Sequence, residues 1–175
     1  GFVSDQNGGF EQVTVGVSQN WSKDRGLTAM NAPGSFGRSY TDANGHSEDP
    51  DAVNYGLNFQ EQWERAFELD PEFVFITGWN EWIAGRYEEW QQQHNAFPDQ
   101  YNQEHSRDIE PMKDGHGDNY YYQMVANIRK FKGVAKPPIF TQNKNISIDG
   151  KFVDWETVSP EFKSHKGNTL ERNSA

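Results

Sequence analysis

Four carboxylates stand where chemistry could be done: Glu81, closing the apolar run Phe73-Val-Phe-Ile-Thr-Gly-Trp-Asn-Glu-Trp82, and Glu104, Asp108 and Glu110 further along. Cleavage of a glycosidic bond uses two such groups, about 5 to 5.5 Å apart for retention and about 6.5 to 9.5 Å for inversion. Adjacent strands of a sheet lie about 4.8 Å apart, so carboxylates at neighbouring strand ends meet the requirement. Glu81 is the leading candidate, because a carboxylate ending a fully apolar strand is costly unless hydrogen-bonded or paired. Glu104, Asp108 and Glu110 are candidate catalytic partners. They read equally as a salt-bridged loop network with Arg107, which would otherwise serve as an orienting cation.

Aromatic and amide side chains surround these acids. Trp79, Trp82, Tyr87 and Trp90 have faces suited to the axial C–H groups of a pyranose ring, and Asn80 suits a sugar hydroxyl or a brace for Glu81. Side-chain alternation puts Trp79 and Glu81 on one face of a strand and Asn80 and Trp82 on the other, so the four do not line a single pocket. Arg38 and Tyr40, in Gly37-Arg-Ser-Tyr40, are placed to anchor a binding lip. Of Tyr120, Tyr121 and Tyr122, at most two can face a cleft.

The elements positioning these residues are legible from periodicity. Val13, Val15 and Val17 alternate with Thr14, Gly16 and Ser18, which predicts a strand over 11–19. A polar stretch over 20–54 reads as a long loop. Phe59, Trp63, Ala66 and Phe67 recur at helical spacing, predicting a helix over 55–69 with Trp63 in the core and Asp70-Pro71 ending it. Residues 72–82 read as a strand buried on both faces. A second polar loop spans 85–102. Asp118 is placed to cap a helix over 119–132 with Tyr121, Met124, Val125, Ile128 and Phe131 inward, and Gly133 to stop it. This alternation of strand and helix predicts a parallel sheet. Lys136-Pro-Pro138 then marks a stiff linker, and Asn145 to Trp155 reads as the opening strand and turn of a β-rich module.

Composition excludes several classes. The 175 residues carry a net charge of −10 and a mean hydropathy of −0.97. Acidic balance without a basic stripe argues against nucleic acid as a partner. No apolar run reaches the roughly 20 residues of a membrane helix. There is no cysteine for thiolate ligation. No metal or cofactor is expected, since the chain lacks a His-Glu-x-x-His helix and a phosphate-cradling Gly loop, and it has no Gly-x-Ser-x-Gly elbow for a serine nucleophile. The stretch Asp42-Ala-Asn44-Gly45-His-Ser-Glu48 has only part of a calcium-loop pattern and reads as a polar turn. A start at Gly1, without Met, suggests a processed or excised piece.

Trp79-Asn80-Glu81-Trp82, followed by Asp108-Ile109-Glu110-Pro111, resembles the endo-acting mannosidases of glycoside hydrolase family 99 and their family 71 relatives. The resemblance spans about residues 1–135 and implies an α/β fold, the C-terminal half of a (β/α)8 TIM-type barrel whose N-terminal half is missing. Residues 136–144 would be a linker. Residues 145–175, with Ile148-Asp149-Gly150-Lys151-Phe152-Val153-Asp154-Trp155, resemble the start of a family 9 carbohydrate-binding module, an incomplete β-sandwich. In those mannosidases Glu81 would match the carboxylate assisting attack by the sugar 2-hydroxyl, and a second catalytic Glu follows three residues on. Here that place is Ala84. The resemblance implies a secreted, periplasmic or cell-surface bacterial glycoside hydrolase of polysaccharide degradation, inactive as an isolated half barrel. Two alternatives accompany it: a non-catalytic carbohydrate binder on a degenerate barrel, and an accessory protein of polysaccharide biosynthesis.

Overall fold

The structure, a computed structural model, describes residues 1–82, 85–134, 144–156 and 158. The chain divides into two compact units, Gly1–Gly133 and Val134–Ala175.

A three-stranded sheet organises the first unit. Its strands are β1 (Phe2–Ser4), β2 (Phe10–Val15) and, after two short strands β3 (Trp21–Ser22) and β4 (Gly26–Leu27), β5 (Phe73–Ile76). β1 runs antiparallel to β2, whereas β2 and β5 are parallel, with Gln12 opposite Phe73 and Val15 opposite Ile76. The crossover between them contains helix α1 (Leu57–Leu69). Val13, Val15 and Val17 lie against Phe59, Trp63 and Ala66 of that helix, joined by Ile109 and Tyr120, and these side chains form the core. α1 begins after Gly56 and ends at Asp70, both left-handed, and the Asp70 N–H bonds the Ala66 carbonyl at 3.1 Å. Pro71 cannot continue the helix.

Helix α2 (Asn119–Lys132) occupies the predicted range and stops at Gly133. Met124, Ile128 and Phe131 pack on the core as the spacing requires, but Tyr120 is the buried tyrosine and Tyr121 is exposed. Asp118 sits at the N-terminus without a side-chain capping bond. The Gln60, Gln123 and Asn127 amides connect the two helices, and Lys130 lies 4.1 Å from the Phe67 ring.

The described residues do not form half of a (β/α)8 barrel. They hold two α-helices and sheets of only two or three strands, with one parallel pairing among them. A half barrel needs successive parallel strands, each followed by a helix. Here the segment after β5 folds back as an antiparallel hairpin of β6 (Tyr87–Trp90) and β7 (Gln93–Ala96), and residues between β7 and α2 contain only isolated bridges. The apolar run is also a strand for four residues only, because Gly78 (φ +76°) turns the chain. Nor is β5 buried on both faces: Phe73 and Phe75 are 51% and 49% exposed.

In the second unit, the described residues contain one 3-10 turn, Val153–Trp155, and no strand. The Asp154 carboxylate accepts the Ser147 N–H (2.8 Å) and closes this segment on itself. The rest of the expected module and most of the proline linker lie outside the described residues.

Candidate functional site

Beyond β5 the chain pairs briefly with the segment that carries the second motif. The Ile109 N–H reaches the Gly78 carbonyl at 2.9 Å and the Glu110 N–H reaches that of Trp79 at 2.8 Å. This requires a glycine at 78: a Cβ there would collide with the Arg107 carbonyl oxygen, and φ is positive. The two motifs are thereby laid side by side.

Their side chains then interlock around Glu110. Asn80 Nδ2 donates to Glu110 Oε1 at 3.2 Å and Trp82 Nε1 donates to Oε2 at 2.6 Å. Asn80 and Trp82 therefore meet the same carboxylate, although both lie beyond the end of β5. Trp79 is 45% exposed, with its ring 6.2 Å from that of Tyr121. The Glu81 backbone N–H donates to Asp108 Oδ1, and its exposed carboxylate has no hydrogen-bond partner among the described residues.

Beneath this surface lies a buried polar cluster. Asp108 is fully buried and also accepts from Ser106 Oγ at 3.2 Å. Burial raises its pKa above the ordinary carboxylate value, opposed by the Glu81 N–H, the Ser106 hydroxyl and Arg38. Arg38 is buried too: Nη2 donates to the Asp108 carbonyl (2.7 Å) and Ser106 Oγ (3.0 Å), and the guanidinium lies 4.5 Å from the Tyr120 ring centre. His116 donates from Nε2 to the Glu110 carbonyl (3.0 Å) and stacks on Trp82 at 6.0 Å. Burial and the nearby Arg38 hold its pKa below the usual histidine value. A carbonyl only accepts, so the proton sits on Nε2, and Nδ1 is left without a partner.

These positions sort the sequence candidates. Glu81 and Glu110 are reachable from solvent at one strand end, whereas Asp108 braces the Glu81 backbone from inside. Glu104 faces elsewhere and accepts the Ser39 N–H (3.0 Å) and hydroxyl (2.7 Å). Arg107 pairs with Asp99 at 3.0 Å and with none of the candidate acids, so the salt-bridged network does not form. Arg38 and Tyr40 are interior supports rather than a lip. Tyr87 is exposed on the β6–β7 hairpin, and Trp90 packs on Ala29, Ala32 and Ala96. Ala84 lies outside the described residues. Sequence reasoning passed over the site roles of Ser18, Ser106 and His116, although Ser18 Oγ donates to the Ser106 carbonyl at 2.6 Å and ties the segment that follows β2 to the site. A histidine between Gly115 and Gly117 was the only available signal for His116.

A cavity of about 520 Å³ is lined by Trp63, Phe73, Val74, Ile76, Ile128 and Phe131, with Glu72 and Lys132. It lies beside the amino end of β5 and is mainly apolar, so it has no part in carboxylate chemistry. Among the described residues no cluster of three or more His, Cys, Asp or Glu is arranged to hold a metal ion, and no helix is long and apolar enough to cross a membrane. Comparison with protein-family models, curated proteins and solved structures returns no match.

Proposed function

We propose that this protein binds a polysaccharide or glycan at the Trp79–Trp82 strand end and hydrolyses a glycosidic bond there with Glu81 and Glu110. The convergence of both motifs on Glu110, through Asn80 and Trp82, carries this reading. Two donors hold Glu110 in a fixed orientation, while Glu81 presents an unengaged carboxylate. Such an asymmetric pair suits unequal roles, one group positioned and the other free to meet the substrate. The motif resemblance to family 99 and 71 enzymes supports the same chemistry, and a polymeric substrate fits a secreted, periplasmic or cell-surface setting. Neither cofactor nor metal enters this mechanism.

The exposed Trp79, Tyr121 and Tyr122 favour a second reading, glycan binding without cleavage, because clustered aromatic faces serve either purpose. Incubating the protein with mannans, glucans and galactans while following new reducing ends separates the two. Hydrolysis gives release that Glu81→Gln abolishes. Tight binding by calorimetry with no release over days identifies a binder, and release undiminished in Glu81→Gln contradicts the catalytic assignment.

A further inference from the structure

A second, polar pocket lies at the carboxyl ends of β2 and β5 and is lined in part by Arg107. Its volume is about 240 Å³, and its lining includes Gln19, Asn20, Trp21, Gln62, Thr77 and Arg107. One wall is aromatic. The Trp21 ring is 49% exposed and lies over Gly26, where an added Cβ would come within 3.3 Å of it. Gly26 also has φ +70°, so a glycine serves both the turn and the seating of the indole. Trp21 is further fixed by pairing with Leu27 across β3 and β4.

The same lining includes donors whose backbones are anchored. The Gln19 N–H bonds the Phe36 carbonyl at 3.0 Å, and the Asn20 carbonyl accepts from Thr28 at 2.9 Å. The side-chain amides of both residues are half-buried and have no partner among the described residues. The Arg107 guanidinium is held by Asp99 at 3.0 Å through one nitrogen and keeps further N–H donors. Gln62 differs: its amide is engaged by the Gly16 N–H (2.9 Å) and by Asn58 (2.7 Å), so it forms the floor. An indole, two amides and a guanidinium in one pocket match a pyranose ring, with apolar C–H groups on one side and hydroxyls around its edge. The lining contains no carboxylate; Arg107 is paired with Asp99, and the Gly1 ammonium is a second cation.

From this arrangement we infer that the Gln19–Asn20–Trp21 pocket is a subsite for a hexopyranose ring of the glycan, adjoining the cleavage site. The inference rests on the glycan reading above. Adjacency follows from the chain: Arg107 precedes Asp108, which binds the Glu81 N–H, and Thr77 belongs to the strand extension that carries Trp79 and Glu81.

The test is calorimetric titration with neutral tetrasaccharides of β-1,4-mannose, α-1,6-mannose and β-1,4-glucose, and with a tetramer of galacturonate. Wild type should bind at least one of these tetramers. Trp21→Ala and Asn20→Ala should each weaken that binding about tenfold or more, with circular dichroism and thermal midpoint retained. Binding unchanged in a folded variant of either residue overturns the subsite while leaving the glycan reading intact. Absence of binding of every tetramer to wild type overturns the subsite and the glycan reading together.

Discussion

Glu110 is the residue on which the two motifs meet, and its environment makes separable demands. Trp82→Phe preserves the ring but removes the indole N–H from a half-buried carboxylate. A hydrogen bond to a charged group contributes about 1.5 kcal/mol or more, so the urea midpoint should fall by a corresponding amount. His116 makes a pH-dependent contribution through its contacts with Arg38, Trp82, Tyr120 and the Glu110 carbonyl. Its folded pKa lies below the ordinary value of 6.5, so the folded state binds fewer protons than the unfolded one. Its stabilising contribution is therefore complete above that value and lost as the pH falls through it. Thermal midpoints measured from about pH 7.5 down to about pH 5 should decline, and His116→Asn should flatten the decline. His105, also lowered by burial, retains part of the slope. Asp108 acts in the opposite sense at lower pH: its pKa is raised, so its contribution is lost as pH rises from the unfolded value through the folded one. At this scale Asn80 and Trp82 were legible as site candidates. Their shared acceptor was not, because it lies thirty residues away from Asn80 in the chain.

At the scale of elements, the helices were readable because both their apolar spacing and their stops are local signals. Asp70-Pro71 ends α1 and Gly133 ends α2. The β6–β7 hairpin carried no such signal. Its turn residues Gln91 and Gln92 have φ of 48° and 60°, the mirror-image turn that ordinarily calls for Asn-Gly. Two glutamines there look like part of a polar loop. Replacing them with Asn-Gly relieves left-handed strain of about 1 kcal/mol per non-glycine residue and should raise the thermal midpoint. Gly78 has the converse sensitivity. Gly78→Ala combines a positive φ with a collision against the Arg107 backbone and should cost more than about 1 kcal/mol, with the exposure of Trp82 to fluorescence quenchers rising as the two motifs separate. Trp63→Ala should cost about 3 to 5 kcal/mol in chemical denaturation, since this fully buried side chain joins α1 to the sheet.

For the whole molecule, the alternation of strand and helix was extended to a half barrel that does not form; one parallel pairing, β2 with β5, is present among the described residues. Such a pairing does not dictate that further strands follow. Residues 85–118 instead form a hairpin, bridges and turns. They are fastened to the remainder by backbone bonds such as Met30 N–H to the Phe97 carbonyl (2.7 Å) and by side chains such as Asn31, which binds Asn95 and Phe97. Those links join distant residues and have no periodic signature. They nevertheless help assemble the site, because the same stretch delivers Ser106, Asp108 and Glu110 to the end of β5. The central claim is that Glu81 and Glu110 act there as one catalytic unit. Its most direct test is reducing-end release by wild type, Glu81→Gln, Glu110→Gln and the double variant on one polysaccharide. Residues that act together are not additive, so either single substitution should remove at least about a thousandfold of the rate and the double variant should lose little more. Wild-type rates in either single variant, or no release by wild type from any polysaccharide tested, would contradict it.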